Sequence, residues 1–291
     1  MKTTLAHDAT QDVKPVAAST RGYSDILALV TSSGPWSPAA FAGVDIAALF
    51  GAHITGCYVD PSLRSLRGVD EPTVLSLLLD ARGEERGEYE AFAAFARSRG
   101  VTHVAWRSTD VPPAKTMRAL GAWHDLIVLE RDLSEPHVLV DVLGEALLTC
   151  RTPCLVLPPR WDKPLRFDRM MIGWNGSIES VRATHAALPL ASLAKDVAVL
   201  KDGALDLEQE EAPPSFEPMA YLRSHGVNVT EKPLYASPLN SGPALLAMAK
   251  RHATDCLVMG AYGHARVRER ILGGATRYIL EHADMPVLMQ H

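Results

Sequence analysis

The sequence predicts an α/β protein built from two tandem parallel five-stranded sheets, each with helices on both faces. Two observations point to this. Short apolar runs without alternation are separated by amphipathic segments, the pattern of parallel strands buried on both faces. The pattern also occurs twice. "SDILALVTSSGPWSPAAFAGVDIAALFGAHITGCYVD" from Ser24 resembles "FDRMMIGWNGSIESVRATHAALPLASLAKDVAVLKDG" from Phe167. "HDLIVLERDLSEPHVLVDVLGEALLTCRTPCLVLPP" from His124 resembles "TDCLVMGAYGHARVRERILGGATRYILEHADMPVLMQH" from Thr254. Asp25 aligns with Asp168, Asp125 with Asp255 and Pro153 with Pro286, at offsets that drift through insertions and deletions.

Each repeat reads as strand, Gly/Ser turn, Ala-rich helix, strand. In the first half strands are expected at Asp25–Val30, His53–Val59, His103–Trp106, Leu126–Leu129 and Cys154–Leu157. Helices are expected at Pro38–Phe50, Val74–Arg99, Pro113–Trp123 and Val138–Cys150. In the second half strands are expected at Arg169–Gly173, Asp196–Leu200, Asn228–Pro233, Cys256–Met259 and Pro286–Met289. Helices follow at Ser177–Ala194, Phe216–His225, Ser241–His252 and Gly274–Ala283, with Ser177 a natural N-cap. The proline-rich "PPRWDKPL" at Pro158–Leu165 marks the boundary. The domains read as a disordered leader at 1–22, a first domain at 23–158, a linker at 159–166 and a second domain at 167–291. A chain of 291 residues suits two domains of roughly 100–200 residues each.

A formal charge of −5 argues against a dedicated nucleic-acid binder. No run approaches the roughly 18 apolar residues of a membrane helix, and the polar leader lacks the apolar core of a signal peptide. The four cysteines, Cys57, Cys150, Cys154 and Cys256, read as buried thiols in a reducing cytoplasm. Cys150 and Cys154 are spaced to touch on one helical turn, but Pro153 lies between them, and no matching His/Cys pair suggests a metal.

The chemistry-bearing stretch is "GAYGHARVRERILGG", Gly260–Gly274. It follows the strand "CLVM" and precedes a helix. Gly260, Gly263 and Gly273 keep the spacing Gly, two residues, Gly, nine residues, Gly. With "ILGGATRYILEHADMPVLM" it resembles the adenine-nucleotide motif and C-terminal signature of the universal stress protein family, and the resemblance spans both halves. The resemblance implies an adenine-nucleotide alpha hydrolase-like, Rossmann-like fold and a cytoplasmic stress-response protein. It further implies ATP or another adenine nucleotide in the C-terminal domain, with magnesium as an accompanying option. Gly260 and Gly263 let backbone approach a ligand. Gly273 and Gly274 open a helix whose N–H groups favour an anion. Arg266, Arg268 and Arg270 add positive charge. Asn175, Val199, Tyr262, His264, Ala275 and Thr276 complete the candidate site.

Two positions depart from the family pattern. Gly274 stands where a Ser or Thr hydroxyl is expected, with Thr276 two residues on to cap the helix or reach the phosphate instead. Asn175 stands where an acid is expected beside the adenine. The first half has lost the loop: Glu130 replaces the first glycine, and Glu130, Asp132 and Glu135 repel phosphate. It reads as a structural partner. His124, His137, His185 and His225 show no zinc pattern, and no nucleophile–base motif is present. The chemistry therefore reads as binding rather than catalysis, with a ligand-free interaction scaffold or a slow ATP hydrolase as rivals. For the hydrolase only Glu269 and His264 are placed to order a water. In related proteins single domains pair through the last strand. "CLVLP" and "PVLMQ" are therefore expected to join the halves as an intramolecular pseudo-dimer, with a homodimer as a further option.

Overall fold

The computed structural model describes residues 22–59, 85–109, 111–131, 139–202, 217–237, 240–262 and 274–291. The first half alternates β1 (Asp25–Val30), α1 (Pro38–Phe50), β2 (His53–Val59), α2 (Glu85–Ser98), β3 (Val104–Thr109), α3 (Pro113–Gly121), β4 (Leu126–Glu130), α4 (Leu139–Cys150) and β5 (Cys154–Leu157). The second alternates β6 (Arg169–Trp174), α5 (Ile178–Ala191), β7 (Asp196–Asp202), α6 (Pro218–Ser224), β8 (Val229–Leu234), α7 (Ser241–Arg251), β9 (Cys256–Gly260), α8 (Gly274–His282) and β10 (Val287–Gln290). Of the helix expected at Val74–Arg99, the part before residue 85 lies outside the described residues, as does the leader up to residue 21. β3 runs three residues beyond the expected Trp106. Its polar end, Arg107–Thr109, hid it from an apolar pattern, but as an outer strand it needs only β2 as a partner.

The two expected sheets are one. Ten strands run in the order β3-β2-β1-β4-β5-β10-β9-β6-β7-β8. All neighbours are parallel except β5 and β10, which are antiparallel. At that seam Leu155 faces Leu288, Cys154 faces Met289 and Val156 faces Val287. Leu155 and Leu288 are 133 positions apart, the offset that relates Pro153 to Pro286. Equivalent residues of the repeat therefore meet each other, and an approximate two-fold axis passes between them.

Successive residues of each strand bury to opposite faces, as the pleat requires. Ile26, Ala28 and Val30 join α1, α2, α5 and α6 in one core. Leu27 and Leu29 join α3, α4, α7 and α8 in the other. Both cores cross the seam. Each half is also pinned the same way at its strand starts. Asp125 Oδ2 accepts from the Asp25 N–H at 3.1 Å, and Asp255 Oδ2 accepts from the Arg169 N–H at 2.8 Å. Asp25 thus corresponds to Arg169, one residue beyond the Asp168 that the sequence repeat suggested.

Leu288 is fully buried at the axis. Leu288→Ala should lower stability by about 2–5 kcal/mol, read as a lower urea midpoint. An unchanged midpoint would mean that the seam does not hold the halves together.

Candidate functional site

In an open α/β sheet, ligands sit beyond the carboxyl ends of the strands where the strand order reverses. The sheet reverses twice, between β1 and β4 and between β6 and β9. The second crevice is the one from which the glycine loop leaves. β6 and β9 pair from Met170↔Cys256 to Gly173↔Met259, so they end side by side.

The chain leaves β6 through a tight turn. Asn175 Oδ1 accepts from the Ser177 N–H at 3.2 Å, and Gly176 takes a left-handed φ of +73°. Ser177 Oγ then accepts from the Ser180 N–H at 3.2 Å and caps α5. The first turn of α5 presses onto the end of β9. A Cβ at Gly260 would lie 2.7 Å from the Glu179 carbonyl carbon and the Ser180 nitrogen, so only glycine fits without moving backbone.

Beyond Gly260 the entry to the loop is tied down. The Ala261 N–H donates to the Gln290 carbonyl at 2.8 Å, and His291 Nδ1 contacts the Ala261 carbonyl at 3.0 Å. Tyr262 adopts φ +63°, unusual for a side chain of its size. Its N–H donates to Thr276 Oγ1 at 3.1 Å in the interior. That bond joins the two ends of the loop at its neck. Gly274 then starts α8 with no described residue within 4 Å of where a Cβ would stand, and the first N–H groups of a helix have no partner within it.

Asn175, Gly260, Tyr262, Gly274, Ala275 and Thr276 thus follow from the ends of β6 and β9 and the start of α8. Three candidates have contacts of their own. The Thr276 hydroxyl is 3% exposed and accepts the Tyr262 N–H at the loop neck. Val199 is fully buried with Ile172 and Val258 and is a core residue. The Asn175 amide oxygen is committed to its own turn. Gly263, His264, Arg266 and Gly273 lie outside the described residues, as does His137. Of the other histidines, His124 bridges the Leu120 carbonyl and Thr55, and His185 stacks on Tyr221. Among the described residues no group of three His, Cys, Asp or Glu is arranged to hold a metal.

The first-half crevice shows what the sequence reading missed. Glu130, at the end of β4, occupies the place of Gly260. Its Oε1 accepts from the Ala39 N–H at 3.1 Å and contacts Thr31 Oγ1 at 3.4 Å. Ala39 is the second residue of α1, as Glu179 is the second residue of α5. The repeat therefore exchanges Glu and a small residue across the crevice. A buried acid sits there in both halves, from the strand in the first and from the helix in the second. Glu130 puts a negative charge on the positive end of α1, where an external anion would otherwise sit. Aligning Ala39 with Glu179 would have exposed the exchange, but the longer loop after β1 obscures that alignment. This loop also carries Trp36 into an aromatic cluster, stacked on Phe95 and edge-on to Phe92 and Trp106.

The fold and the crevice define a tandem α/β protein of the doubly wound type, with one glycine-lined edge. Residues 166–291 match the model of the universal stress protein family. No curated protein matches the chain in sequence. Solved structures match it along most of its length. A universal stress protein from Archaeoglobus fulgidus DSM 4304 has a TM-score of 0.60 at 13% identity, covering 91% of this chain and 95% of its own. A protein described as of the same kind from Pseudomonas aeruginosa UCBPP-PA14 has a TM-score of 0.61 at 13% identity, covering 92% and 93%. The cytoplasmic domain of a prokaryotic cation chloride cotransporter has a TM-score of 0.55 at 13% identity, covering 91% and 94%. At such identity the likeness establishes the tandem fold. No helix among the described residues is long and apolar enough to cross a membrane.

The exchange across the crevice is testable by a double-mutant cycle. Glu130→Gly should cost about 1.5–3 kcal/mol, as a hydrogen bond to a charged group is lost. Adding Ala39→Glu should recover part of that, measured by urea unfolding. Strict additivity would show that the two positions do not share one space. Gly260→Ala should cost about 1–3 kcal/mol through overpacking, whereas Gly274→Ala should be neutral or slightly stabilising, because no described residue stands within 4 Å of the added Cβ.

Proposed function

We propose that the second half binds one adenine nucleotide, ATP or a close relative, at the crevice between β6 and β9. The observation that carries this reading is the contrast between the two crevices. In the first, Glu130 fills the space at the helix N-terminus with a carboxylate. In the second, the backbone of α5 packs against the equivalent Gly260, no strand carboxylate is present, and no described residue comes within 4 Å of where a Cβ on Gly274 would stand.

The residues present fit such a ligand on one side of the crevice. Glu179, 8% exposed beside Gly260, makes the α5 side unfavourable for phosphate. The α8 side has the N–H groups of a helix start, which find no partner within the helix, and the sequence before it carries Arg266, Arg268 and Arg270. The phosphates belong there, with the base toward the Asn175 turn. Binding would stiffen the segment between Tyr262 and Gly274 and change the surface offered to partners. The function is that of a cytoplasmic stress-response protein which senses a nucleotide and does not turn it over.

Calorimetric titration of ATP into wild type, Gly263→Val and Gly274→Ser tests this. One site per chain is expected. Gly263→Val should abolish binding without changing the melting point. Gly274→Ser restores a hydroxyl at the helix start. A hydrogen bond to a charged group, about 1.5–3 kcal/mol, corresponds to roughly ten- to a hundredfold tighter binding. Two sites per chain would show that Glu130 yields its place. No binding by any of the three at millimolar ATP would leave a ligand-free scaffold as the reading.

A further inference from the structure

The sheet's seam carries a feature unrelated to the crevice. Cys150 ends α4 and Cys154 begins β5, and their sulfurs lie 3.7 Å apart. The turn between them doubles back on itself, with Arg151 at φ +56°. The Thr152 carbonyl sits 3.4 Å from Cys150 Sγ and 3.3 Å from Cys154 Sγ, holding both thiols toward one point. Pro153, which prevents a continuous helix through the pair, is what turns the chain so that the sulfurs meet.

We propose that Cys150 and Cys154 form a reversible intramolecular disulfide, a modification site for peroxides at the junction of the two halves. A disulfide needs a sulfur separation of about 2.05 Å, so the sulfurs must close by about 1.6 Å. The backbone already brings the two side chains together, and side-chain rotation supplies the rest.

The two thiols are not equivalent. Cys150 is 5% exposed and adjoins exposed Thr149 and Arg151, whereas Cys154 is fully buried. The hydrogen bond from Cys154 holds the Cys150 thiol below its ordinary range against the opposing effect of burial. Burial pushes Cys154 up. Cys150 is therefore the thiol that meets the oxidant, since the thiolate is the nucleophile.

The step balances with a peroxide as oxidant. The Cys150 thiolate attacks one peroxide oxygen, the O–O bond breaks, and the leaving oxygen takes a proton. This gives a sulfenic acid and an alcohol, or water when the oxidant is hydrogen peroxide. Cys154 then loses its proton and attacks the Cys150 sulfur. The S–S bond forms, the S–O bond breaks, and hydroxide leaves as water with that proton. Two thiols lose two electrons and the peroxide gains them. A thiol reductant reverses the change by exchange.

The position gives the bond a consequence. Cys154 faces Met289 across the seam, and Gln290 Nε2 donates to the Arg151 carbonyl at 2.7 Å. The turn that a disulfide would lock is thus in direct contact with the last strand of the second half. Of the other two cysteines, both fully buried, Cys256 has its thiol pushed up to about 12 by burial and is a poor competitor.

The test uses the full folded chain, exposed to stoichiometric hydrogen peroxide, then denatured in alkylating reagent and weighed intact. Two of the four thiols should escape alkylation in wild type. The unalkylated mass should fall by two hydrogens, and dithiothreitol should restore it. A proteolytic map should join the peptides of Cys150 and Cys154. Cys154→Ser should stop at a mass gain of one oxygen on Cys150, and Cys150→Ser should keep its three thiols. The double variant Cys57→Ser, Cys256→Ser should behave as wild type. Four alkylatable thiols in folded wild type after peroxide would overturn the proposal, as would a bond involving Cys57 or Cys256. The wild-type mass and map decide the matter even where a serine variant fails to fold.

Discussion

The antiparallel contact between β5 and β10 is the constraint on which the rest of the molecule depends. A parallel sheet of five strands ends in an edge with unpaired N–H and C=O groups, and such edges must be paired or covered. Each half has such an edge after its last, short, apolar strand. Joining them satisfies both at once and lets two hydrophobic cores run unbroken from one half into the other. The remaining outer strands, β3 and β8, are the polar ones: β8 carries Thr230, Glu231, Lys232 and Pro233. Proline and charge on an outer strand discourage further pairing.

The same architecture decides where a ligand can go. Each half has one place where strand order reverses, and in both a buried acid reaches that place. In the first half the acid comes from the strand and satisfies the α1 N-terminus. In the second it belongs to the helix itself, which frees the strand end to be glycine and lets the backbone of β9 meet α5. Charge then separates the two sides of the second crevice. The α5 side is acidic, and the α8 side has the N–H groups of a helix start. The Tyr262–Thr276 hydrogen bond at the loop neck maintains that division, since it fixes where the loop departs and where α8 begins.

Most of the fold was legible in the sequence. All ten strands were expected at their places, the inner ones from apolar runs such as "DILALV" and "CLVM", because strands buried on both faces leave an uninterrupted hydrophobic signature. β3 was shortened because an outer strand tolerates Arg107 and Ser108. The joining of the halves through the two short final strands was legible too, but not that it makes one continuous sheet of the two expected. The site was less so. Glycine spacing identified the loop, but spacing cannot say which hydroxyl is spoken for. Nor does it show that Thr276 accepts the Tyr262 N–H or that Val199 is buried with Ile172 and Val258. Glu179 drew no notice because an acid in a first helical turn is ordinary. Only the three-dimensional pairing of Gly260 with α5 gives it meaning.

The approximate two-fold axis at Leu155 and Leu288 carries one more implication. When two identical subunits assemble, any substitution is made twice, and a change that closes one crevice closes both. Linking the two units in a single polypeptide removes that obligation. One copy of the crevice is then free to drift while the other is held. Glu130 against Gly260, and Trp36 against a three-residue turn, are what such licence looks like. The duplicated chain keeps the shape of a symmetric pair and has given up the equality of its members.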